Sequence, residues 1–129
     1  RPALMILSKN QNPVSYDQSI DFVAQKEGDK TVLCYVNNIN HTNHKDTTWL
    51  YDVSFERLNQ PGTWVVCAGP RAYDLALRLE LGGFDMGRVF VEPEVGLLRP
   101  LVEQKTKGTI CILTEIYDSQ RILSALKGE

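Results

Sequence analysis

The chain has 129 residues, with 14 Lys+Arg against 16 Asp+Glu and a formal net charge of −2. That length suits one domain, and 43% hydrophobic with 23% charged residues argues against disorder. The slight acidity argues against nucleic acid or anionic lipid as a partner, no apolar run approaches the ~20 residues of a membrane span, and the first apolar stretch is too short for a signal peptide.

Ala3–Leu7 is the first of five short apolar runs rich in β-branched residues. Tyr16, Ile20, Val23 and Ala24 then recur at helical spacing, and Thr31–Val36 forms the second run. Thr63–Ala68 is the third, followed by Ala72, Leu75, Ala76 and Leu79 on one helical face that Gly82-Gly83 closes as a C-cap. Arg88–Val91 is the fourth. In Glu94–Gln104 a possible helix is broken or restarted by Pro100. Thr109–Leu113 is the fifth run, and Ile122, Leu123, Ala125 and Leu126 mark a last helix capped by Asp118 or Ser119. Nearly continuous apolar runs suit strands covered on both faces. Their alternation with helices about every 25 residues predicts an α/β, three-layer Rossmann-like domain with a mostly parallel sheet of about five strands.

Function is expected in the loops at the carboxyl ends of such strands. Ser8–Val14 is one. Asn37–Asp52 is the other, far longer than the 2–6 residues usual for such a loop. Its Trp49-Leu50-Tyr51 core is expected to pin the loop through Trp49 and Tyr51, with Asp52 capping a short Val53–Leu58 helix. Asp46 would then be a lone, oriented carboxylate of the kind a triad histidine needs behind it. Nothing in the chain supplies the nucleophile. Cys34, Cys67 and Cys111 each sit in an apolar run and read as buried thiols, and Ser8, Ser15 and Ser54 lack an elbow, so another chain must complete any triad.

His41 and His44 lie three apart beside Asp46 and Asp52, but a polar Asn/His/Thr/Lys stretch is usually a solvated loop, and no metal is assigned. Neither a G-x-x-x-x-G-K-[ST] nor a G-x-G-x-x-G sequence is present, so no glycine loop cradles a nucleotide's phosphates. Cys67-Ala68-Gly69-Pro70-Arg71 reads as a structural turn from which Arg71 reaches an anion or a partner.

Leu7-Ser8-Lys9-Asn10-Gln11-Asn12-Pro13-Val14, Lys45-Asp46-Thr47-Thr48-Trp49-Leu50-Tyr51-Asp52, Phe55-Glu56 and Ala68-Gly69-Pro70-Arg71-Ala72 followed by Leu75-x-Leu77-Arg78-Leu79 resemble, in order, the C-terminal domain of the MurT family. That family is the Mur-ligase-like half of the lipid II isoglutaminyl synthase MurT–GatD. The resemblance implies that residues 1–129 are a Mur-ligase-type C-terminal domain cut from a longer subunit, which the start at Arg1 also suggests. It implies an ATP- and glutamine-dependent complex that amidates the D-glutamate α-carboxyl of the lipid II stem peptide to D-isoglutamine. That places it in bacterial peptidoglycan synthesis, in the cytoplasm at the inner face of the membrane. ATP, Mg and a zinc ribbon would belong to an upstream part, with no cofactor in this domain, which would be inactive alone. A GatD-like glutaminase would be the partner. Asp46 would complete its Cys–His pair, while Lys9, Asn12 and Pro13 face the nucleotide and Trp49, Tyr51, Asp52 and Arg71 anchor the loop or dock the partner. The chain departs from the family pattern in its Asn37-Asn38 pair, in a His41–Lys45 stretch one residue longer and lacking the usual glycine, and in an extra Gln11. The alternative is a non-catalytic Rossmann-like interaction module; an independent small-molecule-binding α/β domain is a third reading, for which tight nucleotide binding is not expected without a glycine loop.

Overall fold

Among the described residues, five apolar runs form strands β1 (Ala3–Leu7), β2 (Lys30–Tyr35), β3 (Thr63–Ala68), β4 (Val89–Glu92) and β5 (Thr109–Thr114). Among the described residues, four helices separate or follow them: α1 (Pro13–Ala24), α2 (Ala72–Leu81), α3 (Leu98–Lys105) and α4 (Ile116–Lys127). The computed structural model describes residues 2–7, 13–37, 48–114 and 116–128. Every strand pairing is parallel and the order is β1-β5-β2-β3-β4, which makes the domain Rossmann-like.

All six residues of β2 are buried, because β2 lies at the centre of the sheet with both faces covered. Side chains along β2 and the residue after it alternate between two cores. Val32, Cys34 and Val36 join Tyr16, Ile20 and Val23 of α1 and Ala72, Leu75 and Leu79 of α2 on one face. Leu33 and Tyr35 join Leu98 and Val102 of α3 and Ile122 of α4 on the other. Steps from β1 to β2, β3 and β4 thus cross the first face, whereas the return from β4 to β5 crosses the second, which keeps the crossovers of one hand.

The element ends follow local chemistry. Proline opens α1, where its missing N–H has no intrahelical acceptor to lose. Gly83, at φ +83°, follows the Gly82 C-cap of α2, and the Phe84 N–H returns to the Leu79 carbonyl at 3.1 Å. Pro100 falls in the first turn of α3, so the helix restarts around it rather than breaking at it. One expectation fails: α4 already starts at Ile116, so Asp118 and Ser119 lie inside its first turn and do not precede it as caps. Among the described residues no helix is long and apolar enough to cross a membrane.

Candidate functional site

Parallel pairing sets Leu7 of β1 opposite Thr114 of β5, and Leu113 of β5 opposite Cys34 of β2. The strands that precede residues 8–12 and 38–47 therefore end on one rim with only β5 between them, about 10 Å apart at two strand spacings. β1 and β2 lead to elements on one face, and β5 leads to α4 on the other. That reversal makes the rim around β5 the topological switch point, where open α/β sheets hold their ligands. Pro13, as the first residue of α1, stands at this rim. Lys9, Asn12, His41, His44 and Asp46 lie outside the described residues.

Beyond β2 the rim is held by polar side chains. Asn37 donates through Nδ2 to Asp118 Oδ2 at 3.2 Å, tying the start of the long loop to the first turn of α4. Arg121 pairs with the other Asp118 oxygen at 3.0 Å and donates to the Tyr35 hydroxyl, its guanidinium standing 5.5 Å from that ring's centre. The buried Asp118 carboxylate thus serves as a tether between loop and helix rather than a cap. Burial, and then the charge of Asp118, push the Tyr35 phenol above its ordinary value, with Arg121 opposing. A cavity of about 670 Å³ opens beside this cluster, lined by Tyr35, Pro70, Glu94, Arg121 and Ser124 among others.

The end of the long loop and the residues after it form two 3-10 turns, Thr48–Asp52 and Phe55–Leu58. Leu50, Val53, Phe55 and Leu58 are all buried in the core shared with α1 and α2. Tyr51 does not pin the segment as expected; it is 51% exposed, its ring lying over the Arg78 guanidinium at 5.6 Å. The anchor is Leu50, because the tight turn directs it, and not its neighbour, toward the sheet. The side chain of Trp49 lies outside the described set. Asp52 ends the first turn and is exposed, while the second turn has Ser54 at its N-cap position, so Asp52 caps nothing.

Two helices hold this segment. From α1, Asp17 accepts the Ser54 N–H at 2.7 Å and Asp21 pairs with Arg57. From α2, Arg78 is 7% exposed and donates from Nε to the Leu50 carbonyl at 3.0 Å and from Nη2 to the Val53 carbonyl at 2.8 Å. It also pairs with Glu56 at 2.6 Å and has the Phe55 ring at 5.7 Å. Gly82 leaves room for this pair, since a Cβ there would stand 2.7 Å from Arg78 Nη1 and 2.9 Å from Glu56 Oε1. The sequence shows Arg78 only as part of the family-like Leu75-x-Leu77-Arg78-Leu79 run, with no sign of its role. It flanks the apolar face of α2, where an arginine ordinarily reaches solvent, and its carbonyl partners are 28 and 25 residues away.

Arg71, at the N-cap position of α2, uses its backbone N–H on the Val36 carbonyl at 3.1 Å and its guanidinium on Asp74 at 2.8 Å. Gly69 is required by sterics. Its φ is +89°, and a Cβ would meet the Val36 carbonyl oxygen at 2.6 Å. The Cys67–Arg71 stretch is thus a structural turn that binds β3 to the end of β2. All three cysteines are buried thiols. Burial pushes Cys34 up to about 12 and also raises Cys67 and Cys111, so none is a nucleophile at neutral pH.

Residues 7–117 match the family described as MurT ligase C-terminal. Over 96 residues the chain is 32% identical to proteins of Staphylococcus aureus strains COL and N315, each described as the MurT subunit of a glutamine-hydrolyzing lipid II isoglutaminyl synthase. Each match covers 74% of this chain and 21% of the relative, so the chain spans about a fifth of the curated relatives' length.

Proposed function

The chain belongs to the MurT ligase C-terminal family, and from that premise we propose that it serves a ligase complex that amidates the D-glutamate α-carboxyl of the lipid II stem peptide to D-isoglutamine. ATP drives the amidation and glutamine supplies the nitrogen. The work takes place in the cytoplasm at the inner face of the membrane, with ATP, Mg and a zinc ribbon held by the rest of the protein. In this reading the domain docks a GatD-like glutaminase, Trp49, Tyr51, Asp52 and Arg71 standing on the docking side. Lys9, Asn12 and Pro13 face the ligase nucleotide.

Asp46 accepts a hydrogen bond from the glutaminase histidine. That fixes the imidazole tautomer and stabilises the imidazolium formed as the partner's cysteine loses its proton. The observation that carries the reading is the Lys45–Asp52 run in a chain of this family, beginning three residues before a turn that two helices hold. The buried, neutral thiols agree with it, because the nucleophile must then come from elsewhere.

The test is Asp46→Asn in the full-length subunit assembled with its glutaminase. Glutamine hydrolysis collapses while the complex still forms; full glutaminase activity refutes the role. A docking module without chemistry is the second reading, favoured by the longer, glycine-free His41–Lys45 stretch. It makes removal of Trp49 weaken assembly and leaves Asp46→Asn silent.

A further inference from the structure

The cavity of about 670 Å³ beside Tyr35 has no part in the roles assigned above. Its size falls within the roughly 300–1,000 Å³ of small-molecule sites and exceeds what a bare ion needs. It lies where three strands end: Tyr35 closes β2, Pro70 follows β3, and Pro93 and Glu94 follow β4. Arg121 and Ser124, neighbours one turn apart on α4, complete the wall. The polar groups are only partly used. Arg121 donates from Nη2 to Asp118 and to the Tyr35 hydroxyl, so its Nε and Nη1 have no partner among the described residues. The Tyr35 hydroxyl accepts that bond, which leaves its own proton to donate. The Ser124 hydroxyl has no partner among the described residues, and no described cation pairs with the Glu94 carboxylate.

Charge decides what fits. A lone anion meets Arg121, but also Glu94 and the Asp118 carboxylate that already holds one edge of the guanidinium. A lone cation meets Glu94, but also Arg121. A molecule with a carboxylate at one end and an ammonium at the other satisfies both charges, with Pro70, Pro93 and Val95 against its apolar body. Burial, then Asp118 and last Glu94 raise the Tyr35 phenol against Arg121, so Glu94 stands close enough for its charge to be felt there. We infer that this cavity binds a small zwitterion, a free amino acid or a short peptide, with its carboxylate on Arg121 and Tyr35 and its ammonium on Glu94. The site is separate from the role proposed for Asp46 and does not depend on it.

The experiment titrates the nitrogen-15-labelled 129-residue chain with glycine, alanylalanine and trialanine and follows the amide NMR signals. At least one probe binds saturably with a Kd of about 1 mM or tighter, and the shifts centre on Gly96, Ser124 and Ala125. Tightest binding by glycine assigns the free amino acid, and tightest binding by either longer probe assigns the peptide. Acetylating the ammonium or amidating the carboxylate of that probe weakens it about tenfold or more. Arg121→Gln and Glu94→Gln, both at exposed positions, do the same while the β2 amide signals stay in place. No saturable binding by any of the three probes overturns the inference. So does binding that survives either cap or either substitution, or shifts centred away from the cavity. If a variant does not fold, the capped probes on the unaltered chain decide the matter alone.

Discussion

Replacing Arg78 with methionine keeps an unbranched apolar stem, ending about where Nε stood, but removes the fork. The Leu50 and Val53 carbonyls then lose their charged donors in a buried setting, each at about 1.5–3 kcal/mol, while the buried thioether returns on the order of 1 kcal/mol. The net expectation is a loss of about 2–5 kcal/mol. Glu56→Gln should cost less than about 1 kcal/mol, because the carboxylate is half exposed and water screens the pair. Urea unfolding of the 129-residue chain, with both single variants and the double, separates these contributions. At a slope of about 1–3 kcal/mol per M, the Arg78→Met midpoint falls by on the order of 1–2 M. A loss under about 1 kcal/mol, or a Glu56→Gln loss equal to that of Arg78→Met, would refute the view that the two carbonyls are what this arginine holds.

Gly69→Ala forces a Cβ to 2.6 Å from the Val36 carbonyl oxygen at a φ of +89°, and thermal unfolding should register a loss of about 1–3 kcal/mol or more; a change within 0.5 kcal/mol contradicts the close approach. Asp118→Ala, at a buried carboxylate joined to Asn37 and Arg121, costs about 1–3 kcal/mol, whereas Arg121→Ala, 58% exposed, costs under about 1 kcal/mol; the reverse order would sink the tether. The Cys34 thiol, raised from 9.0 to about 12, stays protonated in the folded chain while its unfolded counterpart ionises. Its stabilisation is therefore complete below pH 9 and declines as pH rises toward 12, by about 1.4 kcal/mol per pH unit. Denaturation midpoints between pH 9 and 11 should fall less steeply in Cys34→Ala, and equal slopes contradict the burial argument.

The strands were legible because central parallel strands are apolar on both faces. Ala3–Leu7 and Thr63–Ala68 match their predicted limits, while β2 and β4 are each displaced by one residue; β2 begins at Lys30, whose charge hides a buried strand end in an apolar pattern. Turn chemistry at Gly82-Gly83 and at Pro100 was readable for the same local reason. Partners distant in sequence were not. Tyr51 has the bulk of an anchor, yet the turn delivers Leu50 to the core; Asp118 has the chemistry of a cap, yet its helix starts earlier and its acceptor oxygens serve Asn37 and Arg121. Arg78 looks like any surface arginine until the carbonyls of Leu50 and Val53 are brought against it. Of the candidate site, topology brings the strands before residues 8–12 and 38–47 to one rim, as the α/β pattern implied.

The central claim concerns a carboxylate shared between two proteins, and the imidazole it serves is the group that reports it. Nitrogen-15 NMR of the glutaminase's catalytic histidine, in complex with the full-length subunit, reads the pKa of that ring directly. With Asp46 in place the imidazolium is stabilised and its pKa lies about one unit or more above the value in the Asp46→Asn complex. Identical titration in the two complexes would contradict the account.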